Sequence, residues 1–172
     1  MSQAAGSSTV KSSRFLLLAA VAAGLLAVSC SKQKAEAAAE KKPLLAAKPG
    51  WLTSLEEAQQ EAKAQRKLLL LDFTGSDWCG WCIMLDKEVF SKPQFKEYAK
   101  KNLVLLELDF PRMKKLPAET SAQNERLAMQ FRIQAFPTVV VMDSNGKPIG
   151  ALGYMRGGPE VFIAELEKLR KG

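Results

Sequence analysis

The chain has 172 residues, with 25 basic and 18 acidic side chains, a net charge of +7, three cysteines and no histidine. That length predicts one domain with appendages, and three cysteines without histidine fall short of the four Cys or His ligands that zinc normally takes. The excess charge does not make a nucleic-acid-binding face, because from Gly50 onward 18 basic residues meet 16 acidic ones and the folded part is nearly neutral.

Residues 1–29 read as an export signal. Lys11 and Arg14 precede Phe15 to Val28, an unbroken apolar run of 14 residues. A membrane span needs about 20 residues, whereas a signal h-region is this short. The run ends Leu26-Ala27-Val28-Ser29-Cys30, which resembles a bacterial lipobox. That resemblance implies that Cys30 receives lipid and becomes the mature N-terminus. An uncleaved anchor and a plain signal with an incidental cysteine are the other readings. All three place the chain outside the cytoplasm, where disulfides persist. Residues 30–49 form a linker rich in Ala, Lys and Glu, without aromatics, that cannot bury a core. Its composition favours a semi-rigid, partly helical spacer, whose lysines are read as solvated charges. The folded domain is expected over 50–172.

Within that domain, Thr53-x-x-Glu56 matches a capping box. It opens an amphipathic helix to about Gln65, with Leu55, Ala58 and Ala62 on one side. Leu68 to Phe73 is nearly all apolar, as in a strand covered on both faces. The turn Thr74-Gly75-Ser76-Asp77 leads into Trp78-Cys79-Gly80-Trp81-Cys82, and Ile83 to Phe90 can wind as a helix. A break is expected at Ser91-Lys92-Pro93-Gln94, where Ser91 and Gln94 cap a second segment to about Lys101 with Phe95 and Tyr98 inward. Leu103 to Phe110 is a second buried strand, parallel to the first through a right-handed crossover.

Pro111 to Gln123 reads as a solvated loop carrying Arg112, Lys114 and Lys115, with a docking surface as the alternative. Asn124 to Arg132 is a helix with Leu127, Ala128 and Phe131 apolar. Pro137 to Met142 and Lys147 to Leu152 flank Asp143-Ser144-Asn145-Gly146, a hairpin signal. Pro148 argues that the second of these strands lies at an edge. Gly157-Gly158-Pro159 starts the last helix, with Val161, Phe162, Leu166 and Leu169 as its apolar stripe.

The chemistry concentrates at Cys79 and Cys82. Two cysteines three apart on a helix share a face. If Cys79 sits at the helix N-terminus, free backbone N–H groups and the helix dipole favour its thiolate. Such sites bring a cysteine pKa from about 8.5 to roughly 3.5–7.5. Cys79 is then the nucleophile, and Cys82, one turn deeper, the resolving thiol. Covalent haem attachment needs a histidine after the second cysteine, where this chain has Ile83. A structural disulfide or metal half-site is the competing reading. Asp72 falls inside an apolar strand, where a carboxylate is costly without a reason. Burial raises a carboxyl pKa toward the range of a general base; a carboxylate that faces a water channel or caps a backbone group is the other reading.

With Asp72-Phe73, Trp78-Cys79-Gly80-x-Cys82 and Phe136-Pro137-Thr138 in place, the chain resembles the thioredoxin superfamily over roughly Leu55 to Lys171. The closer likeness is to membrane-anchored, extracytoplasmic thioredoxin-like proteins of bacteria, through Phe73-Thr74-Gly75-Ser76-Asp77-Trp78-Cys79-Gly80-Trp81-Cys82. Thioredoxin itself has Pro where this chain has Trp81, and one residue fewer between the Asp and the first Cys.

The resemblance implies an α/β thioredoxin-like fold, a central mixed sheet flanked by helices on both faces. It implies that Asp72 lies beneath Cys82 and helps deprotonate it. Pro137 would follow a cis bond and face the cysteines. The backbone at Phe136, beside Thr138, would pair with an extended substrate segment. Trp78, Gly80 and Trp81 would complete a substrate-binding rim, with Trp78 largely structural and Trp81 either choosing partners or packing.

The implied activity is thiol–disulfide exchange with protein thiols and disulfides through a mixed disulfide, recharged by an unidentified redox partner. No metal or organic cofactor is implied, nor nucleic acid, and the membrane is met through the lipid anchor. No histidine lies between the cysteines, and Asp77 nearby would raise the Cys79 pKa. That points to reductase or isomerase work rather than disulfide donation. A disulfide-donating oxidase, and a lipid-anchored adaptor with an inert disulfide, are the alternatives.

Overall fold

An unbroken apolar run has no polar face to give to water, so it settles inside a sheet covered on both sides. In the computed structural model, which describes residues 48–172, Leu68–Thr74 is such a strand (β1), and Leu69 to Phe73 are each at most 2% exposed. Strands β2 (Leu103–Asp109), β3 (Thr138–Met142) and β4 (Pro148–Leu152) join it in the order β2-β1-β3-β4. β2 runs parallel to β1, β3 is antiparallel to β1, and β4 is antiparallel to β3. Pro148 thus lies on an edge strand, as its missing N–H demands. The expected signal over 1–29, the lipid site Cys30 and the linker up to residue 47 lie outside the described residues.

Side chains alternate across a strand, and both faces of this sheet are covered. Leu69, Leu71, Phe73, Leu106, Leu108 and Val140 pack against α1 (Leu55–Gln65) and α4 (Ala118–Gln130). The opposite face sends Leu70, Leu103, Val139 and Val141 against three helical pieces. These are α2 (Gly80–Leu85) with the π-turn Asp86–Phe90 that continues it, α3 (Pro93–Asn102) and α5 (Gly158–Lys171). Phe90, Phe95 and Phe162 form a cluster of tilted and edge-on rings 5.0–6.1 Å apart at the centre of that layer. This is the α/β mixed sheet that the sequence predicts. Among the described residues no helix is long and apolar enough to cross a membrane.

Several boundaries move. The cap of α1 is Ser54, not Thr53: Ser54 Oγ accepts the N–H of Glu57 at 3.4 Å. The sequence holds two overlapping candidates, Thr53-x-x-Glu56 and Ser54-x-x-Glu57. Gln123 of α4 decides between them by accepting the Leu55 N–H and donating to the Thr53 carbonyl, both at 2.9 Å. Ser91 does not cap the segment after it. It closes the π-turn, donating to Asp86 Oδ2 at 3.1 Å, and α3 starts at Pro93 with no side-chain cap.

The largest miss is α4, which begins at Ala118 rather than Asn124. Its inward positions Thr120 and Asn124 are polar, so its first two turns show no apolar stripe. Asn124 is buried because its Nδ2 donates to the Asp109 carbonyl at 2.9 Å. In α5, Phe162 and Leu166 are buried, but Val161 faces solvent. Lys48 is not a solvated linker charge. It is tied by ion pairs into the sheet's acidic end.

Candidate active site

The last turn of β1 fixes where the cysteines go. Gly75 sits under the Trp78 indole so closely that a Cβ there would come within 2.5 Å of the ring. The N–H groups of Trp78 and Cys79 both donate to the Gly75 carbonyl, at 3.2 and 2.9 Å. The chain therefore turns sharply and starts α2 with Cys79 as N-cap, extended at φ −85° and ψ 103°. Cys79 Sγ accepts the N–H of Cys82 at 3.3 Å, and the two cysteines are joined as a disulfide, with Cα atoms 5.3 Å apart. Both are buried, Cys79 at 6% and Cys82 at 4% exposure, so in this oxidised form their accessibility hardly differs.

The basic loop is stitched to this turn. Ser76 donates its N–H and Oγ–H to the Asp109 carboxylate at 2.9 and 2.7 Å, and Trp78 Nε1 donates to the Phe110 carbonyl at 2.8 Å. Asp77 accepts the N–H groups of Arg112 and Met113 at 3.0 and 2.8 Å. Those donors, Arg112 first, hold the Asp77 carboxyl below its usual range. The Asp77 carboxylate, which the sequence puts two residues before Cys79, is thus bonded to the loop backbone. The Arg112 guanidinium lies 3.8 Å from the centre of the Trp78 ring, a cation–π contact. Lys114 pairs with Asp109 at 2.9 Å. Much of the loop's basic character is thus spent on ordering the dithiol turn.

Around the disulfide the aromatic positions divide. Trp78 packs edge-on against Phe136, rings 5.9 Å apart, and Phe136 meets Phe110 at 5.2 Å. Trp81 stands 56% exposed, its ring 5.2 Å from Tyr154. Tyr154 is held in turn by donating to Glu88 Oε2 at 2.7 Å. Ile83 and Met84 are also exposed, Met84 one turn along α2 from Trp81. Gly80 opens α2 with free space where a Cβ would be. The Phe136–Pro137 bond is cis. Thr138 then begins β3, its Oγ1 donating to the Ala135 carbonyl at 2.8 Å.

Beneath α2 the sheet face changes character toward the carboxyl ends of β1 and β2. Asp72 sits opposite Glu107, and Thr74 opposite Asp109, on the same face as Leu70. Asp72 is 2% exposed, and its Oδ1 has no hydrogen-bond partner. Burial pushes its pKa up from 3.8 to about 7, opposed by the Lys48 charge and aided by Glu107, Asp86 and Asp109. Sequence reasoning singled out Asp72 but missed Glu107 and Asp109. Each carries the same signal, a carboxylate inside an apolar strand. Among the described residues no group of three or more Cys, Asp or Glu side chains is arranged to hold a metal ion.

Comparison with known proteins agrees with this geometry. A family described as thioredoxin-like domain matches residues 55–170. Disulfide bond reductase DsbH of Chlamydia pneumoniae is 32% identical over 151 residues, covering 86% of this chain and 90% of its own. Thiol:disulfide interchange protein DsbD of Haemophilus ducreyi is 29% identical over 122 residues, which is 69% of this chain but only 19% of that longer protein. A solved structure of DsbH oxidoreductase has a TM-score of 0.68 at 32% identity, covering 78% of this chain and 92% of that one.

The raised pKa of Asp72 has a consequence for stability. Below pH 3.8 the carboxyl is protonated in both folded and unfolded chains and costs nothing. Between 3.8 and about 7 only the unfolded chain ionises, so stability falls as pH rises, then levels off. Asp72→Asn removes that penalty. In the oxidised protein its stability advantage over the parent should grow by about 1.4 kcal/mol per pH unit across this window, to about 4 kcal/mol. Denaturant titrations from pH 4 to 8 measure this, and a difference independent of pH would contradict it.

Proposed function

The chain belongs to the thioredoxin-like domain family as a thiol–disulfide oxidoreductase, and from that premise we propose that it works in the reducing or isomerising direction on protein disulfides outside the cytoplasm. The observation that carries the direction is the 32% identity, over 90% of the relative's length, to a protein named a disulfide bond reductase. Gly80 and Trp81 bring no cation between the thiols, which is consistent with a thiolate less stabilised than a strong oxidant needs.

In the proposed cycle the reduced protein begins with Cys79 as thiolate, facing the N–H of Cys82 that its sulfur accepts in the oxidised form. It attacks one sulfur of a substrate disulfide. The other substrate sulfur leaves as a thiolate and takes up a proton, and a mixed disulfide joins Cys79 to the substrate. Cys82 then gives its proton to Asp72 and attacks Cys79 Sγ, releasing the second substrate sulfur as a thiolate. Two electrons have passed to the substrate, and Cys79–Cys82 is left as the disulfide seen here. A dithiol partner must return two electrons for the next turnover. Exposed Trp81 and Met84, one turn apart on α2, offer apolar contact area to a substrate segment extended along Phe136, Pro137 and Thr138.

The same reading includes delivery. Residues 1–29 direct export, Cys30 takes lipid, and the following linker holds the domain beyond a membrane surface. Mass spectrometry of the mature protein should find cleavage before Cys30 and the added mass of acyl chains. A water-soluble form starting elsewhere would remove the anchor from the account.

The order of attack is tested by trapping. Cys82→Ser leaves Cys79 able to attack but nothing to resolve the mixed disulfide, so partners stay covalently attached. Cys79→Ser removes the thiol at the helix N-cap, leaves only Cys82 inside α2, and should trap few. Acid-quenched cells run on non-reducing gels compare the two variants. Equal adducts from both would reverse the assignment, and none from either, with folded protein, would favour a non-catalytic adaptor.

A further inference from the structure

We propose that Lys48 is a positioning residue for the exchange reaction: its ammonium, clamped between Asp86 and Glu107, is the counter-charge that lets Asp72 take the proton from Cys82. The inference rests on the reading of Asp72 as proton acceptor and adds a group outside the dithiol elements. Lys48 lies seven residues before α1, in no helix or strand, yet its Nζ is 3.0 Å from Asp86 Oδ1 and 3.0 Å from Glu107 Oε1. One of these carboxylates belongs to the π-turn that continues α2; the other is the register partner of Asp72 on β2.

The segment that carries Lys48 is fixed at several points. The Lys48 carbonyl accepts the Trp51 N–H at 2.9 Å, and Trp51 is buried against Phe90 with rings 5.1 Å apart. The Lys48 ammonium lies 5.3 Å from the centre of the Trp51 ring. Leu52 then pairs with the outer edge of β2, donating to the Leu105 carbonyl and accepting from the Glu107 N–H at 2.8 and 2.9 Å. The backbone of Glu107 and the ammonium that meets its side chain are therefore held by the same five residues.

Charge explains why a cation belongs there. The groups facing Asp72 are Glu107 and Asp109 from β2, Asp86 from the π-turn and Lys48 from this segment. Asp109 is already met by Ser76 and Lys114. Without Lys48, Asp86 and Glu107 would stand as uncompensated like charges beside a buried carboxyl. Like charges disfavour its ionisation, and a carboxyl locked in its protonated form accepts no proton. Burial works against the Lys48 charge as well, but Glu107, Asp72 and Asp86 raise its pKa overall, so it stays an ammonium.

The test uses the full chain, reduced, with a model peptide disulfide as substrate and its reduction rate followed from pH 5 to 9. The parent profile should rise with a midpoint near pH 7. In Lys48→Met the midpoint should move up by about one unit, and the rate at pH 7 should fall about fivefold. Lys48→Arg should keep the parent midpoint. Lys48→Gln supplies a second neutral variant if Met disturbs folding. In an Asp72→Asn background, Lys48→Met should leave the rate unchanged, because the group it acts through is gone. A neutral variant whose profile superimposes on the parent's overturns the proposal. So does an Arg variant that tracks Met, or a Lys48 effect that persists without Asp72. An Asp72→Asn single variant with parental rate would instead remove the proton-acceptor reading, and the Lys48 proposal with it.

Discussion

A carboxylate sealed beneath a helix in an apolar sheet face is the constraint around which this domain is arranged. Asp72 lies on the face that also carries Leu70, Val139 and Val141, with Thr74, Glu107 and Asp109 toward its end, and nothing donates to its Oδ1. Burial disfavours its ionised form and pushes its pKa up to about 7, a cost to the fold at and above neutral pH. The double-sided core can carry that cost. What the cost secures is a carboxyl poised near neutrality, which an exposed aspartate would not be.

The elements around it follow from keeping that group dry and its neighbours neutralised. α2 and its π-turn cover the face, and the turn before α2 is held by the Gly75–Trp78 contact and by Asp109. The loop after β2 closes the other side through Asp77, Trp78 and Arg112. The segment before α1 brings a cation to Glu107 and Asp86. The acids sit at the carboxyl ends of two parallel strands, where open α/β sheets place their chemistry.

Local signals made much of this legible in the sequence. The apolar runs at Leu68 and Leu103 announced two buried strands, Pro148 an edge, and Asp72 a buried acid. What stayed hidden depended on contacts distant in sequence. The first turns of α4 look like a loop because Thr120 and Asn124 point inward, and Asn124 is satisfied only by the carbonyl of Asp109. The partners of Asp77 were hidden because they are backbone amides more than thirty residues on. Lys48 looked like one more linker lysine, since its two carboxylates, Asp86 and Glu107, come from elements well beyond it in the chain. Glu107 and Asp109 were readable by the rule that singled out Asp72.

In the proposed direction this dithiol gives electrons rather than takes them, and that direction is set by its reduction potential. Known members of the fold span about −270 mV for thioredoxin to about −120 mV for the strong periplasmic oxidant. Equilibrating the Cys79–Cys82 pair against glutathione at pH 7 should give a value below about −180 mV, that of protein disulfide isomerase. A value near about −120 mV would contradict the account and make the protein a disulfide donor.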